Sequence, residues 1–395
     1  MGMSSRWCAD MAWFAPMTLP LSRLRMIDLS RQLPGPFCSM LLADFGVDVL
    51  VIANPSDPMG VGIPFLARNK RHMTLNLKSA AGRDILLRLV ADADILLEGY
   101  RPGVPARLGI DYHTLRARNP RLIYCSISGY GQDGPYRDRV GHDINYLGYA
   151  GVLNFVGEAG GPPVIPGVQI ADIAGGALMA AVGILTAVIA REQTGRGQFV
   201  DVSMLDGSLS CNAYHVLMHQ LTGRLPQRGG EQLTGYYPCY AIYETRDGRH
   251  VTVGAFEPHF WANLCRHFGR EDFIATQWAE DPRRTAMFGF FREAFRRKTL
   301  AEWMQELGDK DICFGPVNTL DETFADPQLR RRGMVVDMET RDGHARILGP
   351  PIKLSDTPAS LRTAPPGFGE HTDEILGSLG FAPEDIATLR EQGLV

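Results

Sequence analysis

A doubly wound α/β fold joined to a smaller α+β domain is predicted from three observations. Strand-like and helix-like pieces alternate along the first third of the chain, which implies parallel strands linked by helical crossovers. After residue 236 the pattern changes to hairpins and clustered helices. The length of 395 residues also exceeds what one compact core usually holds. The expected architecture is a large Rossmann-like domain and a small α+β domain connected by long linkers.

Leu24–Leu29 reads as a short strand, and Pro36–Phe45 has helical spacing that ends at Gly46. Val47–Ala53 is a largely β-branched run. Ser79–Ala93 reads as a helix with Ser79 as its cap. Asp94–Gly99 and Leu122–Ser128 are apolar runs of buried-strand length. A long uncharged helix starts near Ile173, followed by a strand over Gln198–Met204 and a helix over Ser208–Leu221. Thr222 to Tyr236 is polar and glycine-rich, as linkers are. Beyond it, Tyr240–Glu244 and His250–Val253 flank Arg246-Asp247-Gly248, a hairpin signature. Helical stretches run from Pro258 to Gly308, a second hairpin centres on Arg341-Asp342-Gly343, and Pro383–Gly393 reads as a helix. The expected divisions are a large domain over residues 21–221, a linker over 222–236 and the small domain over 237–330. Residues 331–395 form a linker and a return to the large domain.

Composition narrows the function classes. A net charge of −4 lacks the basic face that non-specific nucleic-acid binding needs. The seven cysteines, Cys8, Cys38, Cys125, Cys211, Cys239, Cys265 and Cys313, are scattered and never CxxC-spaced. That suits buried thiols in a reducing compartment. Residues 1–20 read as a loose tail, because Asp10 interrupts the apolar run that a secretory signal requires. The uncharged run Ile173–Ala190 is long enough to approach a membrane span. Its glycine and alanine content and lack of an aromatic belt point instead to a buried helix. A cytoplasmic protein without membrane attachment is expected.

Several motifs match in part and fail. Gly129-Tyr130-Gly131-Gln132-Asp133-Gly134 fits GxGxxG, but the polar Pro135–Arg139 follows where a dinucleotide fingerprint needs a helix. His215 and His219 have metal-pair spacing without the Glu of HExxH or a third ligand, so structural roles and no metal are expected. No GxSxG elbow is present.

One constellation stands. His142 follows Gly141 at a loop-to-helix junction, in Gly141-His142-Asp143-Ile144-Asn145-Tyr146. Asp172 opens the long apolar helix, where a carboxylate is a normal N-cap. Glu257 lies in Gly254-Ala255-Phe256-Glu257-Pro258, just ahead of another helix, where an acid is also ordinary. Each residue alone has a structural explanation.

Together they resemble a family. The stretches Gln32–Asp44, Ala67-Arg68-Asn69-Lys70-Arg71, Leu75-Asn76-Leu77-Lys78 and Glu98-Gly99-Tyr100-Arg101-Pro102-Gly103 carry the resemblance. So do Gly129–Tyr136, the segment around His142, Asp172 with its helix, Gly195-Arg196-Gly197-Gln198 and Gly369-Glu370-His371-Thr372. From about Leu21 onward the chain resembles the class III CoA-transferase superfamily, and within it the α-methylacyl-CoA racemase branch. The resemblance implies an acyl-CoA substrate, with coenzyme A as part of the substrate and no permanently bound cofactor. It implies that Asp172 is catalytic in either branch, as an acid/base in racemases or a nucleophile in transferases. His142 and Glu257 resemble the racemase set. Inverting a carbon next to a thioester needs a base on one face and an acid on the other, so His142 and Asp172 would exchange those roles while Glu257 orients the imidazole. Helix-start amides would help hold the enolate oxygen. The alternative is CoA transfer between carboxylic acids through an anhydride on Asp172.

The resemblance also places Arg68, Arg71, Leu75, Lys78 and Arg101 at the CoA site. Where racemases resemble Arg-Ile-Asp-Arg-Pro, this chain has Val51-Ile52-Ala53-Asn54-Pro55, so Asn54 replaces an expected cation. Leu233–Tyr240 departs from the racemase pattern as well. Members of the family form dimers of interlocked chains, and such a homodimer is expected to bring Glu257 to His142 across the subunit boundary.

Overall fold

The computed structural model describes residues 19–57, 63–341 and 343–395. The expected N-terminal tail therefore lies outside the described residues except at its last two positions, and Asp342 of the second hairpin lies outside them too.

Six parallel strands form the main sheet. They are β1 (Arg25–Asp28), β2 (Asp48–Ala53), β3 (Lys70–Thr74), β4 (Ile95–Glu98), β5 (Ile123–Ser128) and β6 (Phe199–Ser203), in the order β3-β2-β1-β4-β5-β6. The central strands are buried on both faces, with Ile95, Leu96 and Leu97 fully enclosed, as a sheet covered on both sides requires. Helices α1 (Pro34–Asp44), α2 (Ala80–Ala91), α3 (Val104–Leu108), α4 (Tyr112–Arg118) and α5 (Asp143–Tyr149) follow the strands. The Ser79 cap is present, its hydroxyl accepting the Gly82 N–H at 2.9 Å. No helix follows Gly129–Gly134, in keeping with a glycine loop.

Strand β3 has no counterpart in the sequence reading. Its sequence, Lys-Arg-His-Met-Thr, looks solvated, yet Lys70 and His72 are buried. Lys70 Nζ donates to Ser39 Oγ at 2.7 Å and the Pro36 carbonyl at 2.9 Å, and lies 3.8 Å from Asp28. Asp28 in turn accepts from the hydroxyls of Ser30 and Ser39. Burial pulls the ammonium down to about 8, against the opposing charge of Asp28. This network fixes α1 over β1 and β3.

The long apolar helix begins as a π-helical segment, Ala171–Leu178, and continues as α6 (Met179–Thr194). It packs on α7 (Met204–Ser210) through glycine. A Cβ added to Gly207 would lie 2.2 Å from the Gly175 carbonyl oxygen, and one on Gly175 would lie 2.7 Å from that of Met204. The expectation of a buried helix holds for one face, including Ala177, Ala180, Ile184 and Ala187, while Leu178, Met179, Val182 and Ile189 are exposed, Val182 by 60% and Ile189 by 63%. The apolar residues of this helix are distributed around more than one face, and this unit's sheet covers only one of them.

By contacts the described residues divide into two units, the first comprising those up to residue 146, those of 169–210 and those from 330 onward, and the second 147–168 and 211–329. In the second, α8 (Ala213–Thr222) is separated from α7 at Cys211-Asn212. There the Asn212 amide donates to the Ala150 carbonyl at 2.7 Å, so the single helix predicted over Ser208–Leu221 is broken. The antiparallel sheet β7 (Tyr240–Glu244), β8 (His250–Gly254) and β9 (Phe314–Pro316) carries the first predicted hairpin. It packs with α9 (Pro258–His267), α10 (Arg283–Phe295) and α11 (Leu300–Leu307) around Trp261, Phe291, Phe295 and Trp303. His215 stacks on Phe155 at 3.9 Å and the His219 ring meets the Arg224 carbonyl at 3.0 Å. Both histidines have structural partners.

In the first unit the second hairpin is formed by β10 (Val335–Thr340) and β11 (Gly343–Leu348). Residues 372–378 and 383–391 return as helices to the core that α2 covers.

The glycine contact predicts a measurable cost. Gly207→Ala forces a methyl group against backbone that cannot swing away, an overpacking loss of ~1–3 kcal/mol. A lowered urea midpoint at unchanged m-value checks it.

Candidate active site

His142 occupies the N-cap position of α5. Its carbonyl accepts the N–H groups of Asn145 at 2.8 Å and Tyr146 at 3.3 Å, and its own N–H donates to Asn145 Oδ1 at 3.0 Å. These bonds engage only its backbone and leave the exposed imidazole outside the cap. The turn is locked from behind by Tyr146, whose hydroxyl donates to the Gly141 carbonyl at 2.5 Å. A Cβ on Gly129 would lie 2.5 Å from the Tyr146 ring, and one on Gly141 2.8 Å from it. The two glycines make room for the tyrosine that holds the histidine's turn.

Asp143, the next residue, reaches the other half of the site. Its Oδ2 accepts the N–H of Ala171 at 2.7 Å and that of Asp172 at 3.1 Å. The helix start thus has a carboxylate cap, but Asp143 supplies it, and Asp172 lies inside the first turn with its own carboxyl free of capping. This corrects the N-cap reading of Asp172. The Ala171 and Asp172 N–H groups are thus already engaged by Asp143.

The electrostatics follow from this geometry. A helix N-terminus ordinarily favours an ionised carboxylate, but here Asp143 already takes that positive end. Asp172 is half-buried, and burial first and the Asp143 charge second raise it to about 6, partly opposed by His142. His142 and Asp172 therefore lie within electrostatic reach of each other.

Glu257 lies in the second unit, at the N-cap of α9 with Pro258 at the first helical position. Its side chain is exposed and makes no capping bond. The structure therefore presents it as an uncommitted acid.

The expected CoA-site residues separate into two groups. Arg68 is corrected: it is buried, with Nε and Nη2 donating to Asp44 at 3.1 and 2.7 Å and Nη1 to the Leu348 carbonyl at 2.8 Å. A guanidinium saturated in this way inside the fold is a structural strut. Arg71 sits at the amino end of the sheet, bound to Asp48 at 2.8 Å. Leu75 is core, its N–H bonded to the Ala53 carbonyl at 2.8 Å. Asn54 uses its side-chain oxygen to accept from the Ser56 N–H and hydroxyl, at 2.9 and 2.8 Å, so it shapes a turn. Lys78 and Arg101 are exposed on the loops that follow β3 and β4, at the carboxyl edge where open α/β sheets receive ligands.

Sequence reasoning missed Asp143. Its signal was adjacency to His142 within the same motif, but an acid at a helix start has an ordinary local explanation, and its target lies 28 residues away.

Comparison with known proteins agrees with this geometry. Residues 21–372 match the family model described as CoA-transferase family III. The α-methylacyl-CoA racemase of Homo sapiens is 37% identical over 380 residues, covering 95% of this chain and 98% of that protein. The Homo sapiens succinyl-CoA:glutarate CoA-transferase is 30% identical over 396 residues, covering 95% of this chain and 90% of that protein. Among solved structures, a CaiB/BaiF family protein from Brucella suis aligns with a TM-score of 0.81 at 30% identity, covering 92% of this chain and all of that one.

The Asp143 contact carries a pH prediction. Asp143→Asn keeps an acceptor for the two amides but removes a charge that raises Asp172. Any rate limb requiring ionised Asp172 falls as pH drops through about 6 and moves to lower pH in this variant. The pH–rate profile of the two proteins, with the substrates considered below, measures the displacement.

Proposed function

The chain belongs to CoA-transferase family III, and on that premise we propose that it is a racemase-like isomerase. It inverts the α-carbon of 2-methyl-branched acyl-CoA thioesters by two-sided proton transfer through an enolate. The observation that carries this reading is the joint between the two proton carriers: Asp143 ties the turn of His142 to the first turn of the Asp172 helix.

In one direction ionised Asp172 removes the α-proton, and the C–H electron pair moves into the thioester carbonyl to form the enolate. Imidazolium at His142 then returns a proton to the opposite face. In the other direction neutral His142 is the base and protonated Asp172 the acid. A carboxyl group near 6 serves both directions, since at pH 7 it is ionised in about nine molecules of ten and still supplies the acid form in the remainder. An unshifted aspartate would be protonated about a hundred-fold less often.

The assembly belongs to the same proposal. An interlocked homodimer would cover apolar side chains exposed on α6 (Val182 and Ile189) and on α8 (Leu217 and Leu221). It would also give the free carboxylate of Glu257 an imidazole to orient.

CoA transfer is the second reading, favoured by the largely ionised state of Asp172 at neutral pH, which a nucleophile needs. The experiment starts from a single hand of a 2-methylacyl-CoA and follows composition by chiral chromatography. Inversion to a 1:1 mixture is expected, with His142→Ala slowing it by ~10²–10⁴-fold. If the hand is retained while hydroxylamine traps an acyl group on Asp172, and CoA passes to a second carboxylate in His142→Ala, the enzyme is a transferase.

A further inference from the structure

The strand order turns at β1 and β4, which lie side by side while their connections run to opposite halves of the sheet. The crevice beyond the carboxyl ends of two such strands is where an open α/β sheet receives a ligand. The loop after β1 brings Arg31 to it. Ser30 anchors this loop, its N–H and hydroxyl both bonded to the buried Asp28. Gln32 then adopts a φ of 64° and turns the chain into α1. Arg31 therefore projects from an anchored backbone, with its side chain 49% exposed.

The loop after β4 is anchored in a similar way. The Tyr100 N–H donates to the buried Glu98 carboxyl at 2.6 Å. Burial raises the Tyr100 phenol, and the nearby Arg31 charge opposes that rise. Arg101, the next residue, acts in the same sense on Tyr146, the ring that holds the turn of His142. Arg31 and Arg101 thus stand on the two anchored loops that follow β1 and β4.

The loop after β2 contributes an anion to this place. The turn shaped by Asn54, in which the Asp57 N–H donates to the Asn54 carbonyl at 2.9 Å, sets Asp57 against Arg31 at 2.7 Å. An exposed pair of this kind is weak, whereas a phosphate offers a guanidinium two parallel bonds and more charge.

We infer that Arg31 is the cation that receives the phosphates of the CoA nucleotide, exchanging Asp57 for phosphate oxygens when the substrate enters. The position at which Asn54 stands is thereby relieved of supplying charge. The inference rests on the acyl-CoA reading and assigns the nucleotide end of the same site.

The test measures CoA and pantetheine affinities by calorimetry for the wild-type protein, Arg31→Ala and Asp57→Asn. Arg31→Ala should weaken CoA by about tenfold and leave pantetheine unchanged. Asp57→Asn should tighten CoA, because it removes the competing anion. Adding Asn54→Arg to Arg31→Ala should restore affinity. A loss that persists with 3′-dephospho-CoA assigns the contact to the pyrophosphate, and a loss that disappears assigns it to the 3′-phosphate; both support the inference. If the ion pair is merely structural, Arg31→Ala and Asp57→Asn weaken CoA alike, and the inference fails. It fails equally if Arg31→Ala binds CoA as the wild type does. A wild-type protein that binds CoA no better than pantetheine would instead overturn the acyl-CoA reading itself.

Discussion

The two backbone bonds accepted by Asp143 are the constraint on which the site depends. A single carboxylate oxygen holds the N–H groups of Ala171 and Asp172, and its own residue follows His142 directly. The histidine turn and the aspartate helix cannot move independently while those bonds persist. The same contact sets two acids near each other, and that repulsion adds to burial in raising Asp172 to about 6. One interaction therefore sets the site's geometry and adds to the shift that burial gives Asp172.

Glycine provides the precision behind that contact. Tyr146 sits where side chains on Gly129 or Gly141 would be, and α7 approaches the π-helical segment where side chains on Gly175 or Gly207 would be. In both places backbone serves as the packing surface, and backbone has no rotamers by which to give way. The π-helical start of the apolar helix lies between these fixed points, as widened turns often do at functional sites.

Much of this was legible in the sequence. Strands β2, β4 and β5 are largely apolar runs of the right length, β1 and β6 have strand-like patterns despite polar residues, and the Arg246-Asp247-Gly248 hairpin has its expected turn chemistry. Strand β3 was not legible, because a buried Lys70 is tolerated only through Ser39, Pro36 and Asp28, contacts that no local pattern reveals. Arg68 failed for the same reason in reverse: a motif arginine looks available until Asp44, 24 residues away, is placed beside it. The family resemblance singled out His142, Asp172 and Glu257 as candidates. It did not show that Asp143 caps the helix of Asp172 through the Ala171 and Asp172 N–H groups. Arg31 emerged only from strand order, since a crevice between β1 and β4 does not exist in one dimension.

The central claim is that His142 moves a proton at the α-carbon. The most direct measurement is deuterium incorporation from D₂O into the α position of a 2-methylacyl-CoA, followed by mass spectrometry before equilibrium. The wild-type protein is expected to incorporate one deuterium per inversion, and His142→Ala to lose inversion of both hands and incorporation into the hand whose α-proton His142 removes. Inversion that survives in His142→Ala, incorporation unchanged there for both hands, or no incorporation in a wild-type protein that still passes CoA between carboxylates, would contradict it.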